Sequence, residues 1–308
     1  MANIAFIFHG KIKNRKNIFS SIHKHFNSRH KFKLVFTERA GHSVLLAQKA
    51  VVEGFTHIIC VGGDGSLNEV VNGIMKVKAN VSNNRWSDIR LGVLPMGTGN
   101  DFAKSLNVSK DIEDLKRTIE SDSFKVIDLG FAEYHNTSGE KQHRYFINIT
   151  DVGMGGMVAE RLSRYAKWMG TTLTYQRAIL STLLTYKNQS VKATSDTFVY
   201  EGKVMNFIIA NGKYFGSGLG IAPDAMTDDG EFSVVIFGEI SLLDYIKNLR
   251  EVQKCKKISL PGLQYKSARE VYIESPSPGS LPIDMDGEFI GYAPVKLSIV
   301  PAVIKFLC

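Results

Sequence analysis

The sequence predicts an α/β domain on a largely parallel sheet, followed by a β-rich domain with the antiparallel order of a sandwich. Three observations predict this. Short apolar runs alternate with helical periodicity up to about residue 130, which implies right-handed crossovers between parallel strands. Two glycine-rich segments, Gly62-Gly63-Asp64-Gly65 and Gly97-Thr98-Gly99, directly follow two of those runs, where open α/β sheets bind their ligands. After Gly130 the pattern changes to short strands separated by turn residues. The expected domains are therefore 1–130 and 131–292.

Ile4–Phe8 reads as a buried strand, and Ile18, Ile22 and Phe26 recur four apart, as one face of a helix does. Phe32–Thr37 is the second strand. His42–Glu53 is a helix stopped by Gly54, which accepts left-handed backbone. Ile58–Val61 is the third strand, and Ser66 with Glu69 three residues on forms a capping-box pattern for the next helix. Leu91–Leu94 and Phe124–Leu129 are the fourth and fifth strands. In the second half, strands are expected at Tyr145–Thr150, Ser190–Thr194, Val204–Ala210, Phe232–Phe237, Val271–Glu274 and Val295–Val300. Helices are expected near Met157–Trp168, Leu173–Tyr186 and Leu242–Val252.

Composition bounds the function. The chain has 308 residues, 44% of them apolar, which suffices for a large buried core and excludes disorder. A formal charge of +8 draws it toward anionic partners, yet no long basic tract interleaved with aromatics exists, so nucleic acid is not an expected partner. Cys60, Cys255 and Cys308 are too few and too scattered for a disulfide framework or a zinc knuckle, and fit the reducing cytosol. The apolar start reads as a strand rather than a signal peptide, and no run approaches the ~20 apolar residues of a spanning helix. Membrane contact, if any, is expected to be peripheral.

The chemistry lies in the loops. In Gly62-Gly63-Asp64-Gly65-Ser66-Leu67-Asn68-Glu69 three glycines let the backbone approach a ligand, and the following helix N-terminus favours phosphate. It is neither a P-loop nor a dinucleotide fingerprint, and protein-kinase signatures are missing. In the second loop, Thr98 and Asn100 can bond phosphate or ribose, and Asp101 is either a metal-directed acid or a helix cap. With Asp64 and with Asp128 at the end of the fifth strand, Asp101 would bring three carboxylates to one sheet edge, a set suited to Mg²⁺ held through water. Asp286-Gly287-Glu288 lies late in the chain; alone it is an ordinary hairpin turn, and beside the glycine loops it offers a carboxylate to orient an acceptor hydroxyl.

These motifs, with Gly97-Thr98-Gly99-Asn100-Asp101-Phe102-Ala103 the most discriminating, follow one another in an order that resembles the bacterial diacylglycerol kinase-like lipid kinases, relatives of sphingosine and ceramide kinases. The resemblance covers nearly the whole chain. It implies a nucleotide-binding domain to which about residues 293–308 return, a β-sandwich lipid domain, and an active site in the cleft between them. It implies ATP as co-substrate, contacting Thr37, the loop from Gly63 to Glu69, and Thr98. It places catalytic Mg²⁺ at Asp64, Asp101 and Asp128, and makes Glu288 the base with Asp286 beside it. A second, structural Mg²⁺ would sit on the Asp229 side chain and the carbonyls of Met226 and Glu231; an oxygen-rich turn suits a hard cation, and a plain turn reads the same way. One departure stands out: the family's Asn-Pro-x-Ser-Gly after the first strand is His9-Gly10-Lys11-Ile12-Lys13 here.

The expected reaction is phosphoryl transfer from ATP to a primary hydroxyl of a lipid, diacylglycerol or a related glycerolipid. A sphingoid base, a soluble acceptor, or nucleotide and lipid binding without turnover are the alternatives. Met154, Met157, Leu162, Tyr165, Trp168, Met169, Leu173 and Leu180 read either as core or as an acyl groove. Arg161, Arg164, Lys167 and Arg177 among them suit an anionic membrane or a solvated face. The expected location is cytoplasmic with peripheral membrane contact, and a homodimer is left open.

Overall fold

The computed structural model describes residues 1–80, 88–164, 171–277 and 279–308. They form two compact units, Met1–Leu129 with Pro301–Cys308, and Gly130–Val300.

The first unit contains β1 (Asn3–Phe8), α1 (Arg15–Phe26), β2 (Lys31–Phe36), α2 (His42–Val52), β3 (His57–Gly62), α3 (Asp64–Asn80), β4 (Arg90–Pro95), α4 (Asp101–Ser105) and α5 (Ile112–Glu120). Neighbouring strands run parallel in the order β2-β1-β3-β4, and the last residues of β15 (Glu288–Leu307) extend the sheet beside β4 through Lys305↔Arg90 and Phe306↔Leu91. β3 is buried along its whole length, as a central parallel strand must be. Ile18, Ile22 and Phe26 of α1 are buried against Ile4, Phe6 and Phe8. The strand order reverses between β1 and β3, so the loops after these strands flank the switch point where such sheets take ligands.

Two local expectations change here. The capping box does not form: α3 begins at Asp64, which leaves Ser66 inside its first turn. Glu69 instead accepts the Gly41 N–H at 2.8 Å and the Ser43 N–H at 3.1 Å, and so caps α2. Asp101 is not a cap either; it is the first residue of α4, whose N-cap is Asn100 in left-handed backbone.

The second unit holds the end of β5 (Phe124–His135), then β6 (Lys141–Phe146), β7 (Ile149–Gly153), α6 (Met154–Arg164), α7 (Thr171–Thr185), β8 (Gln189–Ser195), β9 (Val199–Val204), β10 (Asn206–Ala210) and β11 (Phe232–Phe237). It continues with α8 (Leu242–Gln253), β12 (Leu263–Ala268), β13 (Glu270–Glu274), β14 (Pro282–Met285) and the start of β15. Its strands pair antiparallel along β12-β11-β10-β7-β14-β15 and along β15-β13-β8-β9. Phe146 stacks on Phe232 at 5.6 Å within a core that includes Val152, Phe207, Ile273, Ile283 and Leu297.

Two expected strands are each two. Tyr145–Thr150 breaks at Ile147 and Asn148, and Val204–Ala210 breaks at Met205. At the second break the Met205 N–H donates to the Phe237 carbonyl while its own carbonyl accepts from Met154. β12 and β14 carry too little apolar alternation to be read from sequence. The helix expected over Met157–Trp168 begins earlier, at Met154, and Tyr165, Lys167, Trp168 and Met169 lie outside the described residues. Among the described residues no helix is long and apolar enough to cross a membrane.

Candidate active site

The two glycine loops of the first unit meet backbone to backbone. A Cβ on Gly97 would come within 2.5 Å of the Gly63 Cα, and one on Gly63 within 3.0 Å of the Gly97 Cα, so neither position accepts a side chain without displacing the other loop. Asn100 closes the second loop on itself: its side chain accepts the Gly97 N–H and donates to the Gly97 carbonyl, both at 2.8 Å. That is a structural task, performed at 4% exposure. Leu67 and Asn68 are likewise buried, whereas Gly63, Asp64, Gly65 and Ser66 are half-buried and Thr98 is exposed. A ligand arriving at the start of α3 therefore meets the glycines, Ser66 and Thr98, together with the N-terminal amides that a helix leaves without intrahelical acceptors.

Thr37, just past β2, is tied to the loop that departs from the family pattern. The Gly10 N–H donates to Thr37 Oγ1 at 2.8 Å, and a Cβ on Gly10 would lie 2.1 Å from the Thr37 carbonyl oxygen. Gly10 thus keeps the close backbone approach although its neighbours differ.

Asp64 joins the loops electrostatically. Its Oδ2 accepts the Asp101 N–H and its Oδ1 the Phe102 N–H, both at 3.1 Å, which places a carboxylate at the N-terminus of α4. A Cβ on Gly99 would lie 3.2 Å from Asp101 Oδ2 and 3.3 Å from Asp64 Oδ2, so an oxygen of each carboxylate lies beside Gly99, and Lys104 Nζ lies 3.4 Å from the other Asp101 oxygen. Mg²⁺ characteristically takes one or two carboxylates and completes its shell with water and phosphate oxygens, and this pair fits that demand. Asp128 is used differently: its Oδ1 accepts the Ala302 N–H at 2.7 Å and anchors the left-handed residue where the chain end enters the unit. Among the described residues no cluster of three or more metal-binding side chains occurs. Asp229 Oδ1 accepts the Glu231 N–H at 3.2 Å, as in an Asx turn.

In the second unit, Asp286 and Gly287 take positive φ, 49° and 85°, and make the tight turn between β14 and β15. The Asp286 carboxylate accepts three buried N–H groups: Ile147 at 2.9 Å, and Asn148 and Ile149 at 3.0 Å each. This acceptor set explains the break between β6 and β7. Glu288, half-buried, pairs with Arg144 of β6, whose Nη1 lies 2.6 Å from Glu288 Oε2. Sequence reading missed Arg144, because nothing local connects a β6 cation with a turn 144 residues later.

It also missed a buried acid pair. Asp151 of β7 stands directly opposite Asp284 of β14, at 0% and 4% exposure, and each has one oxygen without a partner. Burial pushes the Asp151 carboxyl up to about 7, against the opposing pull of hydrogen bonds from Asn206 and the Gly155 N–H. Burial, then the Asp151 and Asp286 charges, raise Asp284 well above the carboxylate range. No local pattern signals the pair, because Asp151 and Asp284 meet only through the register of β7 against β14. Raised carboxyls stabilise the fold at low pH, and that stability is lost as pH rises through their folded values. Taking the Asp151 shift alone, raising the pH from 5 to 9 is expected to cost about 2–4 kcal/mol. Asp151→Asn and Asp284→Asn, which mimic the neutral acid, should flatten the dependence. Thermal melts across that range check it, and a wild-type profile flat between pH 6 and 9 would contradict the assignment.

Of the suggested acyl stripe, Met154, Met157 and Leu162 are half-buried along α6, and the side chains of Leu173 and Leu180 are not described. Arg161 donates to Thr185 Oγ1 at 2.6 Å, Arg164 pairs with Glu160 at 2.5 Å, and Arg177 is exposed.

Both units of the chain have counterparts among known proteins. Residues 4–132 match the diacylglycerol kinase catalytic domain, and residues 148–308 match the YegS C-terminal NAD kinase beta sandwich-like domain. A diacylglycerol kinase of Staphylococcus haemolyticus (strain JCSC1435) is 30% identical over 84% of this chain and 73% of its own length. One from Staphylococcus carnosus (strain TM300) is 29% identical over 84% and 79%. In fold, a diacylglycerol kinase structure from Bacillus anthracis str. Sterne aligns over 99% of this chain and 96% of its own, with a TM-score of 0.69 at 18% identity. With both domains matched in order and the identity sustained across most of its length, the chain belongs to the diacylglycerol kinase family of ATP-dependent kinases.

Proposed function

We propose that this protein transfers the γ-phosphoryl group of ATP to a primary hydroxyl of a lipid, diacylglycerol or a close glycerolipid, in a Mg²⁺-dependent reaction. The observation that carries the reading is the closely packed pair of glycine loops, with an oxygen of Asp64 and one of Asp101 beside Gly99. Gly63, Gly65, Ser66, Thr98 and Thr37 bind and orient the nucleotide phosphates. Asp64 and Asp101 would hold the catalytic Mg²⁺, with Asp128 steadying the strand end behind them, and the metal would neutralise charge developing on the transferred group. Asp229, with the Met226 and Glu231 carbonyls, would hold a second, structural Mg²⁺. Glu288 accepts the acceptor's hydroxyl proton while Arg144 orients its carboxylate; Asp286 positions the turn.

Incubation with γ-labelled ATP and mixed lipids, followed by chloroform extraction and thin-layer separation, tests the reading. Label should enter a phosphorylated lipid, and chelation of divalent cations should abolish it. Label in a water-soluble product would point to a soluble acceptor, no transfer at all to a binding protein, and full activity after exhaustive chelation would remove the metal from the mechanism.

A further inference from the structure

The phosphoryl-transfer reading makes no use of the buried acids Asp151 and Asp284. They stand directly opposite each other on β7 and β14, where facing Cβ atoms lie about 4.5–5.5 Å apart. Asp151 Oδ2 accepts from the Asn206 amide of β10, while Asp151 Oδ1 and Asp284 Oδ1 have no partner. Among the described residues no cation faces either acid. The charges around Asp284 are acids, Asp151, Asp286 and Glu288, and the phenol near Asp151 is Tyr186, just past α7. From α6 the pair meets bare backbone. A Cβ on Gly155 would lie 2.0 Å from Asp151 Oδ2, and one on Gly156 would lie 2.0 Å from the Pro282 carbonyl oxygen. Two residues further along both strands, the Asp286 N–H donates to the Ile149 carbonyl at 2.9 Å, and the Asp286 carboxylate takes its three amides. The acid pair therefore borders the turn that carries Glu288.

We propose that Asp151 and Asp284 share one proton that latches β14 to β7 and so positions the turn bearing Glu288, and that turnover fails reversibly when this proton leaves to water at alkaline pH. With the proton in place, one hydrogen bond bridges the two orphaned oxygens. Without it, two like charges away from water push the strands apart beside Asp286. Both acids are positioning residues and touch no substrate. Carboxyls held above their ordinary range favour the closed strands at low pH, and that advantage is lost as pH rises through their folded values, about 7 for Asp151. The acid limb of a pH–rate profile then belongs to Glu288, which must be ionised to accept a proton, and the alkaline limb to the pair. The kinetic half of this inference rests on the proposed role of Glu288; the structural half rests on the second unit alone.

Amide exchange followed by nuclear magnetic resonance tests the structural half without any turnover. Protection factors at Ile147, Asn148 and Ile149 should fall as pH rises, by about tenfold per pH unit for each proton released on opening. Those of Val191 and Ala193, in β8 between β13 and β9, should stay level. Infrared spectroscopy checks the proton itself. Wild type should show a protonated carboxyl band at neutral pH that fades as the protection does, and Asp151→Asn/Asp284→Asn should lack it. Each single Asn variant places a permanent N–H donor between the strands. Each should therefore lessen the loss of protection and carry turnover to higher pH, with the KM for ATP unchanged. No such band in wild type, equal loss of protection in β8, or an alkaline limb unaltered in both single variants would overturn the latch. Failure to phosphorylate any lipid, with the exchange and infrared results as expected, would instead count against the kinase reading alone.

Discussion

Glu288→Gln is expected to lower turnover by about 10²–10⁴, the usual loss when a general base is removed, with ATP binding nearly unchanged. Gln keeps the shape of the side chain and an oxygen that can accept from Arg144, so the change isolates basicity from position. Arg144→Met makes the complementary test. It frees a carboxylate now held at 2.6 Å, and should cost about tenfold through lost orientation while leaving the base in place. Single-turnover measurements with saturating ATP separate these effects from lipid delivery. If Glu288→Gln kept more than about a tenth of wild-type turnover with chemistry limiting, the base assignment would fall. Asp286 would not inherit the role, because both of its oxygens already accept backbone amides. The reaction would then rest on positioning and charge neutralisation, which a loose phosphoryl-transfer transition state permits.

Asp286→Ala is expected to destabilise the protein by about 3–9 kcal/mol, since it strips the acceptor from three buried N–H groups, each costing about 1–3 kcal/mol when orphaned. Alanine would also have to hold left-handed backbone at φ 49°, where Asp and Asn are better tolerated. Asp286→Asn should cost less: its oxygen can keep the Asn148 and Ile149 N–H groups, while its amide donor faces the Ile147 N–H. Urea denaturation read by circular dichroism measures both. Loss of activity in Asp286→Ala at unchanged stability would show Asp286 to be a reacting group instead of the residue that holds the turn.

Much of this was legible in the sequence. The first five strands, the α1 face at Ile18, Ile22 and Phe26, and the stop at Gly54 follow from periodicity and turn chemistry acting over a few residues. The glycine loops were legible for the same reason, since three glycines around an acid have little purpose in a plain turn. The order of motifs along the chain was enough to place it in its family.

Partnerships across long separations were not legible. A capping pattern at Ser66 and Glu69 is satisfied locally on paper, yet Glu69 reaches Gly41, 28 residues back, because α2 packs beside α3 and presents uncapped amides there. Asp64 found its partners 37 and 38 residues on, once two loops of neighbouring strands were pressed together at Gly63 and Gly97. Asp286 read as chemistry from its turn, and only the register of β14 against β7 revealed three amides 137–139 residues away waiting for an acceptor. The same register set Asp284 opposite Asp151. Most of the elements, both glycine loops and the family could be read without the structure, because those depend on neighbours along the chain. The tertiary structure decided which acids are left for chemistry, because a buried amide takes whichever carboxylate the folded sheet brings within reach.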